Sequence, residues 1–445
     1  MGRRRRIKLP KEPVTVEIQS LGHDGRGIGQ LASGKTIFVD MALPGETALA
    51  EYTYKRSKFD EARAIEITNP AAERVTPPCA HFGVCGGCSL QHLSTSGQIE
   101  HKQVQLFELL DHNLGHSDYE HMPALTDEVR KYRRKARLGV KYVHKKQTAL
   151  IGFREKRNSF IADISDCEIL DDRVARLLMP LRELISNLQL RERVPQIEVA
   201  CGDEQVALVF RHLEELAAED IQQMTEFAQA HDFELYLQSA GPDSVVKIYP
   251  ADDNPRLYYN LPEFDLKIAF HPMDFTQVNA GINSKMLSQA MAWLAPQPGE
   301  RILDLFCGLG NFSLPIARSG AEVVAVEGDA RMVDRGYENC QLNKLDNIEF
   351  HAADLTQEFA SMSWAKKAFD KVLLDPPRSG ALEIVEKIAK LAPQRIVYVS
   401  CNPITLARDA KVLQAQGYQM QKACAMDMFP HTAHVESMAL FERKK

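Results

Sequence analysis

The sequence holds no apolar run that approaches the ~20 residues of a membrane-spanning helix. Its opening, MGRRRRIKLP, lacks the apolar segment of a secretory signal. No internal repeat and no low-complexity tract is found, which sets aside repeat architectures. Positive charge is not in excess either: the net charge is -6, which alone argues against a nucleic-acid binder. The chain is therefore expected to stay in the cytosol, away from membranes. There its nine cysteines serve as core residues, metal ligands or nucleophiles rather than as disulfides. At 445 residues it has room for roughly two to four domains.

What is present is unevenly spread. From Arg130 to Arg157 there are twelve Lys and Arg against one acid, Glu155. Within that run Arg133, Lys135, Arg137 and Lys141 alternate with Ala136, Leu138, Val140 and Tyr142, the period of a strand with a basic face and a buried one. Interleaved Tyr132, Tyr142 and Phe153 make it a candidate polyanion surface. The cluster Arg3 to Arg6 reads as a tail that could touch phosphates.

Residues 12–70 read as a small all-β unit. Alternating segments VTVEI, TIFVD, ETALAEY and ARAIEI are separated by GHDGRGIG and LPGE, the spacing of an OB-like barrel. Arg26, Lys35, Lys55, Arg56 and Lys58 could bind RNA there, and the pattern resembles the TRAM domain of RNA-modifying enzymes. Residues 71–270 carry mixed α+β signals: a helix over 99–114 ending at Gly115, an amphipathic helix from Val174 to Leu188, and a hairpin turning at Gly202 and Asp203. From 271 to 445 apolar runs RILDLF, AEVVAVE, IEF, KVLLD and RIVYVS alternate with helical stretches at 312–319, 330–342, 381–391 and 404–416. Such alternation predicts a doubly wound, Rossmann-like sheet with ligands at the carboxyl ends of its strands.

The ligand is legible in part. In ILDLFCGLGNFSL, Gly308 and Gly310 let backbone approach a ligand, and nineteen residues after Gly308, Glu327 closes VVAVE where an acid can accept from ribose hydroxyls. A dinucleotide fingerprint wants glycine at 313, where this chain has Ser313. Asp304 with DLFCGLG instead resembles motif I of class I S-adenosylmethionine-dependent methyltransferases. Asp354 after the third strand and Asp375 to Arg378, DPPR, after the fourth complete the set and point to a planar base as acceptor.

The fifth apolar run ends in Ser400, Cys401, Asn402 and Pro403. Carbon 5 of uracil is a poor nucleophile, and a thiolate added to carbon 6 makes it electron-rich. Cys401 just ahead of a helix near Ile404 is placed for the helix dipole to favour its anion. A base must then remove the carbon 5 proton, and Glu436 at the head of the last strand is the candidate, with His431 and His434 as rivals.

A second constellation, CAHFGVCGGCSLQH, sets Cys79, Cys85 and Cys88 at C-x5-C-x2-C spacing, with Cys167 as the best fourth ligand. By spacing, an iron-sulfur centre and zinc, the latter with His81 or His92, stand even.

SCNP, DMFPHTAHVE, LDPPR, DLFCGLGNFSL and FTQVN together resemble the RNA uracil-C5 methyltransferase family over nearly the whole chain. The resemblance implies Cys401 as nucleophile, Glu436 as base, and Gln277, Phe306, Asn311, Glu327, Asp354 and Asp375 as contacts to S-adenosyl-L-methionine. It also implies a [4Fe-4S] cluster on Cys79, Cys85, Cys88 and Cys167, and 23S rRNA as partner of a monomeric enzyme. Arg378 stands where cytosine-C5 enzymes carry a cysteine after D-P-P. Other acceptors in 23S rRNA or tRNA, a non-catalytic RNA-binding assembly factor, and an amino-group methyltransferase working through Asp375 are the alternatives.

Overall fold

The computed structural model describes residues 9–355 and 362–444, so the Arg3 to Arg6 cluster lies outside the described residues. The chain forms two compact units, one made of residues 1–102, 154–160 and 429–434, the other of 103–153, 161–428 and 435–445.

The first unit contains five strands, β1 (Val14–Leu21), β2 (Gly27–Gln30), β3 (Thr36–Asp40), β4 (Thr47–Lys55) and β5 (Phe59–Thr68), closed into a barrel in the order β1-β2-β3-β5-β4. Alternate residues Val16, Ile18, Ile37, Val39, Ala48, Ala50 and Ala62 fill it, as the period-2 pattern requires. Outside, Arg26 stacks over Phe38 at 4.8 Å and Arg56 over Tyr54 at 5.0 Å. Lys35 is partly neutralised by Asp60 at 2.6 Å. A long helix, α1 (Thr95–Leu114), begins in this unit.

In the second unit, after β6 (Glu120–His121), come β7 (Lys135–Val143), β8 (Thr148–Gly152), α2 (Asp172–Ala175), α3 (Leu178–Asn187), β9 (Gln196–Cys201), β10 (Val206–Arg211), α4 (Ala218–His231), β11 (Glu234–Gln238) and β12 (Val245–Tyr249). Six of these strands form a sheet in the order β12-β11-β10-β9-β7-β8. In β7 Ala136, Leu138, Val140 and Tyr142 are buried and Arg137 and Lys141 exposed, as the sequence predicts, but Lys135 leaves the basic face, being only partly exposed with its ammonium donating to Pro272 O. The single helix expected over 174–188 is instead two, α2 and α3. Pro180 has no N–H and its ring crowds the carbonyl four residues back, so the helix stops at Ala175 and restarts at Leu178 with the proline in its first turn.

A hairpin of β13 (Leu257–Leu261) and β14 (Leu266–Phe270) leads to α5 (Ala280–Leu294), β15 (Arg301–Leu305), α6 (Ser313–Arg318), β16 (Glu322–Glu327), α7 (Ala330–Asn343), β17 (Ile348–Ala352), β18 (Lys371–Leu374), α8 (Leu382–Leu391), β19 (Arg395–Ser400), α9 (Pro403–Ala415), β20 (Tyr418–Met426) and β21 (Glu436–Arg443). The sheet order is β17-β16-β15-β18-β19-β21-β20-β6. Strands β15 to β19 run parallel, and β15, β16, β18 and β19 are buried on both faces over most of their length, which is why they read as unbroken apolar runs. Strand β21 runs antiparallel between β19 and β20. Among the described residues no helix is long and apolar enough to cross a membrane.

Candidate active site

Because the five strands β15 to β19 are parallel and in register, their carboxyl ends lie along one edge. That edge carries Phe306 and Gly308 after β15, Glu327 at the end of β16, Asp354 after β17, Asp375 after β18 and Cys401 after β19. Strand β21 is reversed, so its first residue reaches the same edge: Ser437 pairs with Ser400, which sets Glu436 opposite position 401 one step further out. Cys401 and Glu436 thus come together through a strand pairing.

The turn after β15 is shaped for close approach. Gly308 has φ +54°, and a Cβ built there would meet nothing within 4 Å. At Gly310, φ +97°, it would strike Leu314 Cδ1 at 2.1 Å. Phe306 is held at φ +64°, a strained conformation for a bulky residue, with its N–H donating to Val326 O at 2.9 Å. Glu327 accepts from the N–H of Gly308 at 3.0 Å through one oxygen, and from those of Gly328 and Asp329 through the other at 2.7 and 3.1 Å. It therefore builds the turn as well as lining it.

Ser313, the departure from a dinucleotide pattern, donates its hydroxyl to the buried Asp304 carboxylate. A glycine could not. Burial first, then the charges of Asp375 and Glu327, push the Asp304 carboxyl up to about 7 against that hydrogen bond. Burial likewise raises Asp375 to about 7. Carboxylates held in low dielectric along this edge favour a cationic ligand.

Gln277 lines a pocket with Tyr259 and Asn283. Asn311 exchanges hydrogen bonds with Asn283 at 2.8 and 3.2 Å and accepts from Tyr259 Oη at 2.9 Å, which fixes its amide. The DPPR loop is fastened to the start of α9: Asn402 Nδ2 donates to Arg378 O at 3.0 Å and Arg408 to Ser379 O at 3.0 Å. Beneath it, buried Asp409 accepts from Tyr398 Oη and from the Ala381 N–H, both at 2.7 Å. Sequence reasoning passed over Asp409, although an acid on the apolar stripe of Leu406, Ala410 and Leu413 was a signal. It also passed over Phe275, two residues before Gln277, which is 72% exposed and so has an aromatic face open to a ligand.

The thiol departs from expectation. The helix begins at Pro403, capped by Asn402, yet Cys401 is raised to about 11 rather than lowered. Burial contributes most, then the charges of Glu436 and Asp375, opposed by Arg378. The helix end is outweighed by desolvation and two carboxylates. The resting thiol is therefore protonated, with a thiolate fraction on the order of 10⁻⁴ at pH 7. Alkylation of Cys401 by iodoacetamide, followed by peptide mass spectrometry, is expected to accelerate about tenfold per pH unit between pH 7 and 10. A rate already level near pH 7 would contradict this.

In the first unit, Cys79, Cys85 and Cys88 lie on a turn-rich loop, with Cys79 N–H donating to Gln91 Oε1 at 3.1 Å and Gly87 N–H to Cys85 Sγ at 3.4 Å. Three soft thiols so close in sequence are donors of the kind an iron-sulfur centre or zinc takes, although among the described residues no group of three or more Cys, His, Asp or Glu is gathered so as to hold a metal ion. Cys167 is buried in the second unit. His431 is buried in the first unit, its Nδ1 3.3 Å from Gln98 Nε2, and His434 there is exposed.

Residues 95–444 match the family described as tRNA (Uracil-5-)-methyltransferase. Over its whole length the chain is similar to proteins named 23S rRNA (uracil(1939)-C(5))-methyltransferase. One from Hahella chejuensis is 51% identical over 444 residues, covering 99% of each chain. One from Alcanivorax borkumensis is 50% identical over 442 residues, also covering 99% of each. Among solved structures, Pyrococcus abyssi tRNA (uracil-54, C5)-methyltransferase in complex with S-adenosyl-L-homocysteine is similar with a TM-score of 0.73 and 26% identity, covering 96% of this chain and 100% of that one.

Proposed function

Since the chain belongs to the tRNA (uracil-5-)-methyltransferase family, we propose that it methylates carbon 5 of a uridine in 23S rRNA, U1939, using Cys401 and Glu436. The carrying observation is the pairing of β19 with antiparallel β21, which brings these two residues to the edge where the donor-site residues stand.

S-adenosyl-L-methionine, when bound, supplies an electrophilic methyl group on a sulfonium. Gln277, Phe306, Asn311, Glu327, Asp354 and Asp375 would hold it; the open space over Gly308 and the carboxylates along that edge fit a cationic ligand approached by backbone. Cys401 gives its proton to solvent and forms a bond from Sγ to carbon 6, and the π pair of the 5,6 double bond moves toward carbon 5 and the O4 enolate. Carbon 5 would then take the methyl group, the methyl–sulfonium bond breaking with its electron pair left on sulfur, so that S-adenosyl-L-homocysteine departs. Glu436 removes the carbon 5 proton; that C–H pair re-forms the double bond, the C6–S bond breaks, and the sulfur leaves with its electrons. A uridine inside folded RNA has to be extruded to reach Cys401, and the exposed ring of Phe275 offers it a stacking surface.

The test is incubation of the enzyme with unmodified 23S rRNA and the donor, then mapping of 5-methyluridine. Methylation at U1939 alone is expected; methylation only elsewhere, or none, overturns the assignment. The non-catalytic alternative predicts no methyl transfer at all.

Cys79, Cys85, Cys88 and Cys167 are further proposed to ligate a [4Fe-4S] cluster, on the strength of their thiol chemistry and the family resemblance. Anaerobically purified protein should contain about four iron and four acid-labile sulfide per chain. Cys85→Ser should lose both together with the visible absorbance. Stoichiometric zinc without sulfide would sink the proposal. The protein is placed in the cytoplasm, with no obligate protein partner.

A further inference from the structure

Three elements of the second unit meet at the side chain of Asn311, which follows the glycine turn after β15: β13 brings Tyr259 and α5 brings Asn283. Asn283 is 5% exposed, an amide in the first turn of a helix whose neighbouring inward residues, Ile282, Met286 and Leu287, are apolar. Burying an amide among such residues costs free energy unless its hydrogen bonds are made. Those of the Asn283 side chain go to one residue. Its Nδ2 donates to Asn311 Oδ1 at 3.2 Å, and its Oδ1 accepts from Asn311 Nδ2 at 2.8 Å. Asn283 also lines the same pocket as Gln277.

Tyr259 adds a third bond, its hydroxyl donating to Asn311 Oδ1 at 2.9 Å. Burial, then the charge of Asp203, pushes the Tyr259 phenol up, so near neutrality it keeps the proton it donates. A buried phenol needs an acceptor, and among the described residues Asn311 Oδ1 is the one it has. This sets which way the Asn311 amide faces. With Tyr259 and Asn283 both donating, the two lone pairs of its oxygen are taken. Its nitrogen carries two hydrogens and spends one on Asn283. What is left for a ligand is an N–H, not a carbonyl.

We infer that Tyr259 and Asn283 are positioning residues for the donor site: they saturate the Asn311 carbonyl and hold the amide so that its N–H meets a hydrogen-bond acceptor of S-adenosyl-L-methionine. This rests on the proposed role of Asn311 as a donor contact.

The experiment is calorimetric titration of S-adenosyl-L-methionine into the full-length protein carrying Tyr259→Phe, Asn283→Ala, Asn311→Ala, Asn311→Asp, or Tyr259→Phe with Asn311→Ala. Affinity for unmodified 23S rRNA is measured alongside. Asn311→Ala should weaken donor binding about tenfold, and Tyr259→Phe and Asn283→Ala about fivefold each, while affinity for RNA stays within about twofold. On top of Asn311→Ala, Tyr259→Phe should cost less than about twofold more, because nothing is left for the hydroxyl to position. Asn311→Asp, which puts an oxygen where the N–H is presented, should bind donor no better than Asn311→Ala. Additive losses in the double variant, RNA affinity lost in step with donor affinity, unweakened donor binding by Tyr259→Phe, or wild-type donor binding by Asn311→Asp overturns the inference. Donor affinity unchanged by Asn311→Ala instead overturns the underlying assignment of Asn311 as a donor contact, a separate outcome.

Discussion

Alanine at position 401 is expected to lower methyl transfer to 23S rRNA by about 10⁴-fold or more and to abolish the adduct with 5-fluorouridine RNA, while donor binding is unchanged. The size follows from the chemistry. Without sulfur at carbon 6, carbon 5 has no electron pair to offer, and neither Asp375 nor Glu436 can substitute as a soft nucleophile. Donor affinity is spared because the turn held by Glu327 and the Asp304–Ser313 pair do not depend on the thiol. Radiolabelled methyl incorporation and calorimetric donor titration measure the two quantities separately. A Cys401→Ala protein that keeps a tenth of wild-type activity would return the amino-group alternative, in which Asp375 works without a thiol.

Glutamine at position 436 should fail at a different step. A carboxamide cannot accept the carbon 5 proton, so thiol addition and methyl transfer proceed and release does not. Turnover should fall by about 10²- to 10⁴-fold, with a protein–RNA species that carries the transferred methyl label. That label distinguishes a lost base from a lost nucleophile, because the Cys401→Ala protein forms no covalent species. Normal turnover by Glu436→Gln, with nothing accumulated, would assign proton removal to another group.

The parts of this molecule that sequence discloses are those whose chemistry is local. Parallel strands buried on both faces must be unbroken apolar runs, so RILDLF, KVLLD and RIVYVS mark the sheet and their ends mark its functional edge. The cysteine spacing and the glycine turn are equally local. Three features were not legible. The helix expected through residues 174–188 breaks because one proline outweighs an otherwise continuous stripe. The Cys401 thiol is pushed up, not down, because burial, and then the charges of Glu436 and Asp375 brought in from other strands, outweigh the helix end. The grip of Gln98 on His431 joins residues 333 positions apart, and no spacing rule reaches that far. Glu436 itself was named at the head of the last strand. That the strand runs antiparallel beside β19 is information only the sheet order carries.

The placement of β21 between β19 and β20 has a practical bearing on how active protein is counted. The two final strands form an antiparallel ribbon docked along β19, and on the proposed mechanism that docking supplies the base. A molecule whose ribbon had come away would keep Phe306, Glu327 and Asp375 on the remaining strands, so donor titration would count it as active, and turnover numbers belong on a denominator set by burst amplitude.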